Sequence, residues 1–215
     1  MIALPLHDLP TRSASGFLIR YVVPRTGPPQ LVGPLDNKAL FSNMSFGDVV
    51  IGVGHGEPNR FYGYRNQMLL DVSSIPDVRG KVVVLISCQT ARQLGPALIN
   101  AGAESYIGFL EDLVWVMDAD SASNPWADKF AGSAMMPVVH CVNTILDGKV
   151  MADAFAVMTT EMLGNAAVED DEVMASCLRF NARNASLLGN PAARVRARPK
   201  VEFPIPPPPL LPYIT

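Results

Sequence analysis

The chain has 215 residues, 49% of them hydrophobic and 17% charged, with a formal net charge of −3 at pH 7. That length suffices for one sizeable α/β core, with a second domain allowed but not required. With no basic block and no acidic tail, the charge pattern excludes the salt-dependent phosphate binding that a nucleic-acid partner demands.

The N-terminus, MIALPLHDLPTRSASG, lacks the basic start and apolar run of a signal peptide. No apolar stretch approaches the roughly 18–20 residues needed to cross a bilayer, so no membrane partner is expected. The three cysteines are far apart and odd in number, which fits neither a disulfide framework nor a metal site. The expectation is a soluble, cytoplasmic protein without metal or other cofactor.

Residues 1–16 read as an irregular arm, in which His7 carries no signal. Residues 16–23 (GFLIRYVV) are β-rich and read as a strand. Residues 24–36 carry four prolines and two glycines and read as a loop, and 37–47 are ambiguous. Residues 48–54 (DVVIGVG) form a continuous apolar run, the pattern of a strand buried on both faces. The run ends in Gly-His-Gly-Glu-Pro, which is turn chemistry, and a loop-rich excursion occupies 59–80. A second buried strand over 81–86 (KVVVLI) leads straight into Ser87-Cys88-Gln89-Thr90. Ala91, Leu94, Ala97, Leu98 and Ala101 then fall at helical spacing, with Gly102 placed to end the helix. Residues 105–109 (SYIGF) form a third strand. Strand, helix and strand in so short a span make a βαβ unit and imply a parallel sheet.

Beyond it, 126–146 is helical and kinked or split at Pro137, and 151–163 is a helix. Residues 171–188 read as another, with acidic residues in the first turn to suit the helix dipole. Arg194, Arg196 and Arg198 alternate as on a solvated edge strand, and the polyproline tail must be extended. The division is then an N-terminal arm and first strand (1–36), an α/β domain (37–196) and a proline-rich extended tail (197–215). The tail offers a route to a protein partner or to self-association.

Ligands of open parallel sheets sit at the carboxyl ends of the strands. Here two buried strands each deliver one reactive residue at that end, His55 and Cys88. An imidazole near a thiol promotes the nucleophilic thiolate. Gly54 and Gly56 leave the backbone around His55 open for an N–H to bind an oxyanion, and a helix following Cys88 favours a thiolate by its dipole. The bland alternative stays open: a cysteine at a strand end also serves as a small buried hydrophobe, and a histidine after glycine as a turn residue. His140 and Cys141 are neighbours on a helix and diverge by about 100°, so they do not share a site. Cys177 reads as core. Trp115 and Trp126 flank an acidic cluster and fit either packing or a pocket wall.

The stretches VVIGVGHGEP and VVVLISCQTARQLGPALINAGAESYIGF resemble the caspase-like cysteine peptidases, closest in pattern to the CHAT and gingipain-like domains. Those families have a His-Gly pair after one hydrophobic strand and the nucleophilic cysteine after the next. The cysteine is followed by a threonine, a helix closed by Gly-Ala, and a strand; here these are Thr90, Gly102-Ala103 and 105–109. LDGKVMADAFAVM and LLGNPAARV resemble two later elements of the same domains, with Asn190 where they carry aspartate. The likeness runs over about 48–196. It implies a caspase-like three-layer α/β/α sandwich with a mostly parallel central sheet. It also implies hydrolysis of a polypeptide substrate by a Cys88/His55 dyad, with the backbone N–H groups of Gly56 and Cys88 as oxyanion donors. An acidic residue near the strand after the cysteine lines the specificity pocket in several such families. Glu111, Asp112, Asp118 and Asp120, beside Trp115, are the candidates, and an acidic pocket selects arginine or lysine. No third, orienting residue is assignable from the sequence. The competing reading is a catalytically silent caspase-like scaffold acting through its tail and loops. Gly-rich phosphate loops and the Gly-x-Ser-x-Gly elbow are missing from the sequence, which counts against nucleotide-binding and α/β-hydrolase alternatives.

Overall fold

A computed structural model of the chain describes residues 1–4, 6, 8–26, 30–33, 35–44, 47–121 and 123–198. From residue 199 onward the proline-rich tail lies outside the described residues. In chain order the strands are β1 (Ile2–Leu4), β2 (Gln30–Val32), β3 (Val49–Val53), β4 (His55–Glu57), β5 (Arg60–Tyr62), β6 (Met68–Asp71), β7 (Val82–Ile86), β8 (Ser105–Phe109) and β9 (Ala185–Gly189). The helices are α1 (Leu9–Tyr21), α2 (Val23–Thr26), α3 (Asn37–Met44), α4 (Leu94–Asn100), α5 (Lys129–Leu146), α6 (Met151–Val168) and α7 (Glu172–Asn184). None of the described helices is long and apolar enough to cross a membrane.

The central sheet has six strands in the order β2-β1-β3-β7-β8-β9, all parallel except β9, which runs antiparallel to β8. Period-two alternation divides its side chains between two cores. Val49, Ile51 and Val53 of β3 and Val82, Val84 and Ile86 of β7 face one core, shared with α1, α5, α6 and α7. Val50, Val83 and Leu85 face the other, under α3, α4 and a small antiparallel sheet of β4, β5 and β6. The result is the three-layer α/β/α architecture expected from the sequence.

The three buried strands form where the apolar runs predict them. Other elements differ from expectation. Residues 16–23 are not a strand, because α1 runs through them to Tyr21. Ala14, Phe17, Leu18 and Val22 fall at helical spacing and are buried against α5 and the sheet. Gly16 is needed there, since a Cβ would stand 2.3 Å from Pro125 Cγ. Residues 2–4, expected to be irregular, pair with both β2 and β3. The His-Gly-Glu segment read as a turn is β4, and the excursion after it supplies β5 and β6. Residues 185–188 leave the helix expected there and close the sheet as β9, paired along the whole of β8. The arginines near residue 196 form no strand; Arg196 N–H and Arg198 instead bind the Asp48 carboxylate, at 2.7 and 2.9 Å.

Pro137 neither splits nor ends α5. Its missing N–H leaves the Ser133 carbonyl without its helical donor, and the Asn165 side-chain amide of α6 donates to that oxygen at 2.8 Å. The two later motifs also have structural roles. Gly148 adopts φ +74° where α5 ends. The Asn190 side chain accepts from Ala192 N–H at 2.9 Å, and the Pro191 and Ala193 carbonyls accept from Ala152 and Met151 N–H at the start of α6.

Candidate active site

The β3–β7 ladder ends at the registered pair Val53↔Ile86. His55 and Cys88 each lie two residues beyond it, on the same side of the sheet by alternation. Both line one cleft of about 420 Å³. Its walls also include Pro10, Thr11 and Ala14 of α1, and Asp112, Leu113 and Trp115 from the segment after β8.

Glycine recurs at every second position of Gly52-Val53-Gly54-His55-Gly56 because that edge of the chain is covered at close range. A Cβ on Gly54 would meet the Tyr62 carbonyl oxygen at 2.1 Å, and one on Gly56 the Cys88 carbonyl oxygen at 2.2 Å. The glycines flanking His55 therefore permit a close backbone approach and do not simply leave the site open. Gly56 packs directly on the turn that carries Cys88.

The third member of the site comes from the segment read as an arm. Asp8 caps α1 in a capping box: its Oδ1 accepts from Thr11 N–H at 3.1 Å, while its own N–H donates to Thr11 Oγ1 at 3.0 Å. The other oxygen, Oδ2, lies 2.6 Å from His55 Nε2. A carboxylate only accepts, so Nε2 carries the proton and Nδ1 is the basic nitrogen. Burial alone would raise the Asp8 pKa. The Thr11 N–H, His55 and the Thr11 hydroxyl outweigh it and hold the carboxyl below its ordinary value. The sheet order reverses between β1 and β3, so the Asp8–His55 pair straddles the topological switch point, where sheets of this kind bind ligands.

At Cys88 the chain turns sharply. Gln89 has φ +58°, the left-handed region that a side chain rarely adopts. The turn is laced to the segment after β8 by Gln89 N–H to the Glu111 carbonyl and Ala91 N–H to the Phe109 carbonyl, both 3.0 Å. Beneath it, Tyr106 OH donates to Thr90 Oγ1 at 2.8 Å and Thr90 Oγ1 contacts Ser87 Oγ at 3.0 Å. Thr90, matched in the resemblance, is thus the buried anchor of the turn. The expected help from a helix dipole does not materialise. Turns occupy 88–93 and α4 begins only at Leu94, while a dipole acts within about one turn of its helix end. The Cys88 thiol is instead pushed up: burial raises its pKa, Leu113 N–H lowers it, and the Asp112 carboxylate beside it raises it.

Of the expected acidic group, only Asp112 lines the cleft, with Gln89 Nε2 donating to its Oδ1 at 2.8 Å. Glu111 pairs with Arg92. Asp118 accepts from Asp120 N–H at 3.0 Å in a local turn, and neither lines the cleft. Both tryptophans pack on the core, and only Trp115 also lines the cleft. Asn181 of α7, fully buried, clasps the same segment by accepting from Val114 N–H at 3.0 Å and donating to the Val114 carbonyl at 2.6 Å. His140 meets Glu161 at 2.7 Å on the surface while Cys141 turns inward, its thiol pushed up to about 12 by burial. Cys177, expected in the core, is half-buried. Among the described residues no cluster of ligating side chains could hold a metal ion.

No protein-family model matches the sequence, and no curated protein matches it. Solved structures do match in three dimensions. One, described as the structure of a protease, has a TM-score of 0.59 at 13% identity over 91% of this chain and 48% of its own. A second is a complex of the pro- and mature domains of RgpB from Porphyromonas gingivalis, with a TM-score of 0.52 at 11% identity over 87% of this chain and 43% of its own. The fold is caspase-like. The chain spans about half the length of these solved structures, and at such identity the likeness is one of fold.

Proposed function

We propose that the protein is a caspase-like cysteine peptidase with Cys88 as nucleophile, His55 as proton carrier and Asp8 as the positioning residue for the imidazole. One observation carries the reading: His55 and Cys88, at the ends of neighbouring strands, line one cleft, and the carboxylate of Asp8 lies 2.6 Å from the His55 imidazole. Cys88 gives its thiol proton to His55 Nδ1 and its sulfur attacks the substrate carbonyl carbon. The N–H groups of Gly56 and Cys88 meet the oxyanion. The close packing of Gly56 on the Cys88 carbonyl oxygen supports its N–H in this role. The carbon–nitrogen bond breaks as the imidazolium protonates the leaving amine. Water then hydrolyses the thioester and restores the thiol. Asp112 on the cleft wall favours arginine or lysine before the cut, with Trp115 alongside.

The catalytically silent scaffold remains the second reading, and the elevated thiol pKa favours it. Purified protein, Cys88→Ala and His55→Ala are compared on a mixed fluorogenic peptide library. Cleavage lost in both variants is the expected result, and the residue preferred before the cut checks Asp112. Absence of cleavage, with no labelling of Cys88 by peptidyl electrophiles, supports the scaffold.

A further inference from the structure

Asp112 stands at an unusual place for a residue that only recognises a side chain. Its carboxylate faces the same cleft as Cys88, and its charge stands beside the half-buried thiol. The contact is built in, since Gln89, the residue after the nucleophile, adopts φ +58° and its amide holds Asp112 Oδ1 at 2.8 Å. Around this pair the charges are otherwise compensated. From the segment after β8, Glu111 is matched by Arg92 of the nucleophile turn. From the far side, His55 is matched by Asp8 of α1, and Glu57 of β4 accepts from Tyr62 OH at 2.9 Å. Among the described residues no cation pairs with Asp112, and it is exposed to solvent. An anion beside a thiol, with no counter-cation, disfavours the thiolate and works against the nucleophile it adjoins.

We propose that Asp112 makes Cys88 conditional on a cationic occupant of the cleft: a guanidinium or ammonium paired with Asp112 withdraws the carboxylate from the thiol and frees the sulfur to react. The inference rests on the reading of Cys88 as the nucleophile and deepens it, because the group that selects a basic side chain also ties the reactivity of the sulfur to its arrival. A neutral or acidic side chain in the same place leaves the thiol tied to Asp112. Discrimination between substrates then arises in the chemical step as well as in binding.

The test needs no peptide hydrolysis. Alkylation of Cys88 by iodoacetamide at neutral pH is followed by mass spectrometry of its tryptic peptide, with and without methylguanidinium chloride, against sodium chloride at the same ionic strength. A tenfold gain in thiolate yields only about a threefold gain in rate, because intrinsic nucleophilicity falls with basicity. The expected result is therefore acceleration of about threefold or more by methylguanidinium and none by sodium chloride. Asp112→Asn should alkylate faster than the parent without any cation and lose the response, and Asp112→Glu should recover it. Equal rates with methylguanidinium and sodium chloride, or an Asp112→Asn protein no faster than the parent, overturn the proposal even if peptides are cut after arginine. Cation-dependent alkylation in a protein that cleaves no peptide upholds it and removes the peptidase reading instead.

Discussion

Replacing Asp8 separates the two jobs its carboxylate performs. Oδ1 caps α1 and Oδ2 meets His55 Nε2. In Asp8→Asn the amide oxygen keeps the cap, since asparagine is as good an N-cap as aspartate. The amide nitrogen then faces the ring and can only donate, which moves the imidazole proton to Nδ1 and removes the base from the thiol. The two side chains are 38% and 37% exposed, so the ion pair itself contributes at most about 1 kcal/mol to stability. Asp8→Asn should unfold within about 1 kcal/mol of the parent, whereas Asp8→Ala, which also loses the cap, should cost about 1–2 kcal/mol. Hydrolysis should behave oppositely: a carboxylate-to-amide exchange in a comparable triad costs up to about 10⁴-fold in kcat, and a loss of about 10²-fold or more is expected here with KM little changed. The folded carboxyl titrates below its ordinary value of 3.8. Its stabilisation is thus complete above that value and lost as pH falls through the lower folded one, so the gap between parent and Asp8→Asn should close in acid. Urea unfolding at several pH values, beside steady-state kinetics on the best peptide, measures both. An Asp8→Asn protein that retains kcat within about threefold while folding normally would refute the positioning role.

Three other substitutions probe the scaffold of the site. Gly56→Ala drives a Cβ to 2.2 Å from the Cys88 carbonyl oxygen; neither backbone can yield cheaply, so urea unfolding should register a loss of about 1–3 kcal/mol and Cys88 alkylation should change with it. Asn181→Ala strips both bonds to Val114 and should cost about 2 kcal/mol or more, with faster amide exchange over 113–116. Tyr106→Phe removes the hydroxyl that donates to Thr90 but leaves Thr90 its Ser87 partner; a cost of about 1 kcal/mol by thermal unfolding is expected, with the turn at Cys88 retained.

Much of the frame around His55 and Cys88 is legible in the sequence, and the reason is burial. Strands β3, β7 and β8 lie in the middle of the sheet, so their side chains are apolar on both faces and the runs stand out without periodicity analysis. His55 and Cys88 follow from the same signal, since each trails such a run. What the sequence hides depends on tertiary partners. Helix α1 buries almost its whole circumference and carries a glycine for Pro125, so it lacks an amphipathic stripe and its apolar half imitates a strand. Yet Asp8-Leu9-Pro10-Thr11 does carry a start signal, an N-cap with proline in the first turn and a polar residue at the third position. That signal marks the start of the helix and a capping carboxylate whose second oxygen the cap does not use. Residues 185–188 continue the apolar spacing of α7, and only the open edge of β8 makes them a strand. The link between Asp112 and Cys88 lies beyond local reading, because it depends on the left-handed turn at Gln89.

The precision of the site is distributed unevenly over the fold. His55 and Cys88 share a ladder of five registered pairs between β3 and β7, and Gly56 sits on the Cys88 carbonyl, so their separation is fixed by backbone. Asp8 is tied to the same sheet by only two registered pairs between β1 and β3. Its position is held instead by the capping box and by Phe17 and Leu18, buried in the core shared with α5. A register slip in β3 or in β7 would turn that strand's reactive side chain and its core residues to the opposite face, which is prohibitive. A shift of α1 would merely loosen the imidazole. The spacing of His55 and Cys88 is thereby rigid, while the orientation of His55 follows the packing of one helix, and that helix also contributes Pro10, Thr11 and Ala14 to the wall of the cleft. Asp112 stands on the opposite wall, so Asp8 and Asp112 alike come to His55 and Cys88 only through the folded chain, and neither is legible beside them in the sequence.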